Sequence, residues 1–163
     1  MKIAIFGKTI APENEGYLHQ LVQELENNHV EVVDCFNRRE PVDDDIDLLL
    51  SIGGDGTLLD AVPLVGASGI PILGINMGRL GFISSVAKEE IPQAVRQILN
   101  GHYATEDRTL LELVSPNNVF GDVRFALNEI NIIRNPEHSL LSIKVFVDDV
   151  YLNTYWGDRK SVV

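Results

Sequence analysis

An α/β fold that runs into the start of an all-β domain is predicted by three observations. Apolar runs of strand length alternate with amphipathic helical stretches over residues 1–102. Two of those runs end in glycine-rich turns. From Tyr103 onward, over 103–163, the helical spacing stops and short alternating apolar runs separated by turn residues take over.

Each element follows from its local pattern. Lys2 to Phe6 reads as a first strand ending at Gly7, and Leu18, Leu21, Val22 and Leu25 then fall on one face of a helix. Val30 to Cys35 is a second strand. The acidic run Asp43-Asp44-Asp45 is a solvated loop without an assigned function. Leu48 to Ile52 is a third strand, followed by a helix from about Thr57 that Pro63 should shorten or kink. Pro71 to Ile75 is a fourth strand. Ile91, Ala94, Val95, Ile98 and Leu99 mark a further helix, stopped by Gly101. Strands alternating with helices predict a Rossmann-like unit with a mainly parallel sheet, whose ligands gather beyond the C-terminal strand ends. In the β part Leu111, Leu113, Val123, Phe125, Leu127, Ile130, Ile132, Ile143, Val145 and Val147 mark the strands, with Asp148-Asp149 as a hairpin turn.

Composition narrows the function classes. The 163 residues are 45% hydrophobic and 23% charged, the profile of a soluble globular protein. Thirteen basic residues against 24 acidic ones give a net charge of −11 with no Lys/Arg block, which argues against a nucleic-acid partner. No apolar stretch approaches a membrane span, and Ile3 to Phe6 is too short for a signal-peptide core, so a cytoplasmic address with no membrane partner is expected. Cys35 is the single cysteine, which rules out an internal disulfide and a thiolate metal cage. His19, His29, His102 and His138 have no ligand spacing and read as surface residues, so no residue is assigned to a metal.

The chemistry concentrates at Gly53-Gly54-Asp55-Gly56-Thr57, placed between the third strand and a helix start. Such a turn lets backbone N–H groups approach an anion beside the positive end of the helix dipole. A carboxylate inside it would repel phosphate, so Asp55 is expected to serve a metal ion or to take a proton from a hydroxyl. The plain rival is a tight turn whose Asp caps the helix.

Gly-Gly-Asp-Gly-Thr after a strand resembles the signature shared by NAD kinases, diacylglycerol and sphingosine kinases and, more distantly, phosphofructokinases. Gly74-Ile75-Asn76-Met77-Gly78-Arg79-Leu80-Gly81-Phe82 resembles the second glycine-rich stretch of NAD kinases, Asn128-Glu129 their Asn-Glu pair, and Trp156-Gly157-Asp158 the start of their next motif. The matches come in the family's order, and the chain is similar to bacterial NAD kinases over nearly all of its length. The resemblance implies that Asp55 is the general base acting on the adenosine 2′-hydroxyl of NAD. It implies that Gly53, Gly54, Gly56 and Thr57 shape the ATP-phosphate loop. Asn76, Gly78 and Phe82 would line the adenosine side of the NAD pocket, Asn128 and Glu129 would hydrogen-bond the substrate, and Asp158 would reach the nicotinamide end. ATP and NAD are then the substrates, with a divalent cation, Mg2+, to neutralise charge in phosphoryl transfer.

Each role has a rival. Phe82 could fill a core, Asp158 could be a plain loop residue, and Arg79 could be solvated rather than a phosphate clamp. Asn128 and Glu129, read as a buried polar pair within a strand, would need partners. After Asp158 the chain departs from the family: Arg159-Lys160-Ser161-Val162-Val163 does not resemble the next motif, and its threonine and serine are absent. The chain is therefore expected to be C-terminally truncated and a poor or inactive kinase by itself. Unpaired strand edges in the β part are templates for other chains, so a homo-oligomer, dimer or tetramer, is expected. Two other readings are a lipid kinase of the diacylglycerol-kinase type and a non-catalytic nucleotide-binding subunit.

Overall fold

A computed structural model describes residues 1–78, 81–116, 119, 121, 123–134 and 140–162. Arg79, Leu80 and His138, discussed above, lie outside the described residues. The chain divides into two compact units, Met1–Glu106 and Asp107–Val163.

The first unit is built on a five-stranded parallel sheet in the order β2-β1-β3-β4-β5. Its strands are β1 (Lys2–Gly7), β2 (Glu31–Asp34), β3 (Leu48–Gly53), β4 (Ile72–Asn76) and β5 (Val86–Ala87), and its helices are α1 (Glu15–Asn27), α2 (Asp55–Val65) and α3 (Ile91–Leu99). Alternation along each strand sends side chains to opposite faces. Ile3, Ile5, Leu48, Leu50, Ile52 and Ile75 form one core with Leu21 and Leu25 of α1 and Ile91, Val95 and Ile98 of α3. Ala4, Phe6 and Leu49 form the opposite core with Ala61 and Leu64 of α2. Helices thus cover both faces, as parallel sheets require.

The α3 stop is a full Schellman turn. Gly101 has φ 67°, its N–H donates to the Ile98 carbonyl at 3.0 Å, and the His102 N–H donates to the Gln97 carbonyl at 2.8 Å.

Three local details differ from the expectations or add to them. α2 begins at Asp55 rather than Thr57, because Gly54 takes the N-cap position and its carbonyl accepts the Thr57 and Leu58 N–H groups at 3.0 and 3.2 Å. Pro63 lies inside α2, which continues to Val65; only one main-chain donor is lost near the helix end, and Leu64 is anchored in the core. The short β5, which pairs parallel with β4 through Ile75–Val86 and Asn76–Ala87, was not foreseen.

Small residues let α2 close on the sheet. Ser51 of β3 is in register with Gly74 of β4, on the same face as Leu49. A Cβ at Gly74 would fall 2.9 Å from both Leu58 Cδ1 and the Ser84 Cα, so the α2 first turn and the Ser84 segment share that space.

In the second unit three two-stranded antiparallel ladders are described: β6 (Leu111–Glu112) with β7 (Phe125–Ala126), β8 (Ile130–Ile133) with β11 (Arg159–Val162), and β9 (Leu141–Val147) with β10 (Val150–Gly157). Asp148 and Asp149 turn the β9–β10 hairpin with φ 50° and 63°, the left-handed geometry of a two-residue hairpin loop. Among the described residues no helix is long and apolar enough to cross a membrane.

Gly74→Ala is expected to destabilise the first unit by about 1–3 kcal/mol, because one obstacle is backbone that cannot rotate away. Chemical denaturation followed by far-UV circular dichroism checks it, and an unchanged midpoint would show that Ser84 yields freely.

Candidate active site

The two glycine-rich segments leave neighbouring strands side by side. Gly53 ends β3 in register with Asn76, which ends β4, and the Met77 N–H donates to the Gly53 carbonyl at 3.2 Å. Asn76 is buried, and its Oδ1 accepts the Gly78 N–H at 2.8 Å, a side-chain-closed turn that redirects the chain at the sheet edge. Gly53 has φ 157°, and a Cβ there would collide with the Thr57 hydroxyl. Any Cβ at Gly54 or Gly56 would meet nothing within 4 Å, so that side of the turn faces open space.

Asp55 is the first residue of α2, where a negative charge is favoured by the helix dipole. It does not cap its own helix. Its carboxylate reaches across to the second segment: Oδ2 accepts the Phe82 N–H at 2.7 Å, and Oδ1 accepts those of Ile83 and Ser84 at 3.1 and 2.9 Å. Those amides, Ser84 first and Phe82 next, hold its pKa down to about 2. Glycine at 81 permits the approach, since a Cβ there would collide with the carboxylate. Phe82 carries one of the donors while its ring is fully exposed (103%), which removes the core reading of this residue.

A second support escaped the sequence reading. Asn14, buried ahead of α1, donates through Nδ2 to the Met77 carbonyl at 3.0 Å and accepts Lys88 Nζ at 2.8 Å. The same ammonium lies 5.0 Å from the Tyr17 ring centroid, a cation–π contact. No local pattern signals a pair 74 residues apart.

Gly53, Gly54, Asp55, Gly56, Thr57, Asn76, Gly78 and Phe82 thus come together at the C-terminal edge of one sheet, whereas Asn128, Glu129 and Asp158 belong to the second unit. The premise that Asn128 and Glu129 form a buried pair within a strand is corrected. Both are exposed in the bend between β7 and β8, because the strand starts only at Ile130. Glu129 accepts Asn131 Nδ2 at 3.0 Å, and the Asn131 and Ser161 side chains lower its pKa. It also lines a cleft of about 400 Å3 with Leu113, Phe125, Ile130 and Asn131. Asp158 is exposed between β10 and β11, its carbonyl accepting the Arg134 N–H at 2.9 Å. His19, His29 and His102 are exposed, and among the described residues no cluster of three or more His, Cys, Asp or Glu could hold a metal ion.

Asp55 has its pKa depressed on folding, so its bonds stabilise above its ordinary value of 3.8 and are lost as pH falls through about 2. The amide chemical shifts of Phe82, Ile83 and Ser84 should therefore stay constant from about pH 8 to pH 5; a transition inside that range would contradict the three-donor geometry. Asn14→Ala should cost about 1–3 kcal/mol, since it strips a partner from both the Met77 carbonyl and the Lys88 ammonium. A thermal melt that does not move would show the pair to be superficial.

Residues 36–103 match the ATP-NAD kinase N-terminal domain. The chain is 35% identical to the NAD kinase of Flavobacterium johnsoniae, the match covering 97% of this chain and 61% of that protein. It is 37% identical to the Bacteroides fragilis enzyme, covering 97% and 60%. With the NAD kinase of Cytophaga hutchinsonii the identity is 42%, over 69% of this chain and 38% of the relative. Its fold matches that of yeast NADH kinase, solved in complex with NADH, with a TM-score of 0.78 at 19% identity, covering 99% of this chain and 56% of that one. These matches give no support to the lipid-kinase or non-catalytic alternatives. The chain spans about three-fifths of the length of the curated relatives that it matches over 97% of itself, and over that span it is similar to the NAD kinases, residues 36–103 matching the family's N-terminal domain.

Proposed function

We propose that the chain carries the phosphate-facing turn of an enzyme that transfers the γ-phosphoryl group of ATP to the adenosine 2′-hydroxyl of NAD, yielding NADP. One observation carries the reading: the Gly53–Thr57 turn and the Asn76–Ser84 segment, the two stretches that resemble NAD kinases most closely, are tied together by Asp55 at the C-terminal sheet edge. That edge is where open parallel sheets bind nucleotides.

In this reading Gly53, Gly54, Gly56 and Thr57 shape the loop that faces the ATP phosphates, with the open side of Gly54 and Gly56 available to an anion. Asn76 and Gly78 form the adenosine-side wall, and the exposed Phe82 ring is free to stack on the base. Asn128 and Glu129 hydrogen-bond the substrate, and Asp158 serves the nicotinamide end. Asp55 takes the proton of the 2′-hydroxyl as the phosphoryl group is attacked. A divalent cation, Mg2+, would neutralise charge on the triphosphate. Asp55 is the one carboxylate assigned to the turn, which suits an ion held mainly by phosphate oxygens and water. The protein works in the cytoplasm as a homo-oligomer, with residues 103–163 contributing to an all-β domain.

In a chain of the relatives' full length, Asp55→Asn is expected to lower NAD phosphorylation by about 10²–10⁴-fold, the usual worth of a general base. The readout is NADP formation in a coupled assay. Turnover within a factor of about three of the unsubstituted protein would take the proton-transfer role away from Asp55.

A further inference from the structure

A carboxylate that is to take a proton from a hydroxyl has to present a lone pair to it. An ionised carboxyl group has about four acceptor positions. In Asp55 three hydrogen bonds already run to consecutive main-chain donors, those of Phe82, Ile83 and Ser84. Because the donors are consecutive, one rotation of the Asp55 side chain, or one displacement of the segment, breaks all of them together.

The surroundings are shaped to this contact. Gly81 has no side chain where the carboxylate lies, and Gly74 has none where Ser84 packs. The segment therefore sits against the α2 first turn on one side and β4 on the other, with the Phe82 ring held out in solvent.

We propose that this contact is a latch: Asp55 holds the Gly81–Ser84 segment, and with it Phe82, against the start of α2, and the segment must release the carboxylate before Asp55 can act on a substrate hydroxyl. The release step rests on the kinase reading; the latch itself does not. Asp55 is then a positioning residue before it is a base. The same three donors that hold the loop also make the carboxylate a weak base near neutral pH, with a pKa of about 2. Removing them restores basicity, so loop opening and activation of the base are one event, and a substrate that opens the loop completes its own site.

Amide hydrogen exchange on the ¹⁵N-labelled 163-residue chain tests the latch, and the same measurement on a chain of the relatives' full length tests the release. In Asp55→Ala, and in Gly81→Ala where the added methyl displaces the carboxylate, exchange at Phe82, Ile83 and Ser84 should rise about tenfold or more while α1 amides stay protected. Asp55→Asn should be intermediate, because its single carbonyl oxygen can serve at most two of the three donors. It also gives the reading if Asp55→Ala loses protection in α1. Equal exchange in the unsubstituted chain and these variants would overturn the latch. With NAD bound to a chain of the relatives' full length, as verified by calorimetry, the same amides should exchange about threefold faster or more than in that chain without NAD. Unchanged or slower exchange would overturn the release step. NAD that fails to bind that longer chain would sink the kinase reading and the release step together, and the latch would stand or fall on the three variants.

Discussion

Two small residues under the first turn of α2 set the geometry of the whole sheet edge. Ser51 and Gly74, side by side on β3 and β4, replace the large side chains that fill this face further back, such as Leu49. The helix start can then approach the sheet until Leu58 occupies the room a Cβ at Gly74 would take. Only with α2 this low does the carboxylate at its first position come within 3.1 Å of main-chain donors that follow β4. Dispersion and exclusion of water over a tightly packed patch therefore fix a polar contact in front of it.

The two faces of the sheet divide the labour. On the α1–α3 face large aliphatic residues continue to the ends of the strands, through Ile52 and Ile75, and each buried aliphatic contributes about 1.5–3 kcal/mol. The α2 face gives up that packing at its C-terminal end and gains a close backbone approach instead. Both faces are packed, but only the α2 face trades side-chain bulk for a close backbone approach at that end. Asn14 bridges the two tasks: placed ahead of α1, it grips the Met77 carbonyl just beyond β4 and so ties a packing helix to the edge turn.

How much of this was legible in the sequence depended on the range of the signal. Periodicity along the chain identifies β1, β3, β4, α1 and α3, and even the α3 stop, because Gly101 at φ 67° is a local requirement. The Asp148-Asp149 hairpin is visible for the same reason. The glycine-rich turn stands out in the sequence, yet what Asp55 contacts does not, since its donors lie 27 to 29 residues away. Asn14 and Lys88 are hidden by still greater separation. β5 has two residues, too few for any period to show, and it owes its place to pairing with β4. Asn128 and Glu129 were misjudged because apolar neighbours suggested a buried strand where the chain bends in solvent.

The absence of a side chain at Gly81 makes it hostage to the residue at 55. Glycine is needed at 81 because a carboxylate fills the space its Cβ would claim, not because of an unusual backbone angle recorded there. The two positions form one steric unit although they are far apart in the chain. In a lineage where residue 55 shrank to serine or alanine, selection for glycine at 81 would relax, and larger residues could accumulate there. A reversion at 55 alone would then be blocked, so loss of the aspartate would become an evolutionary ratchet.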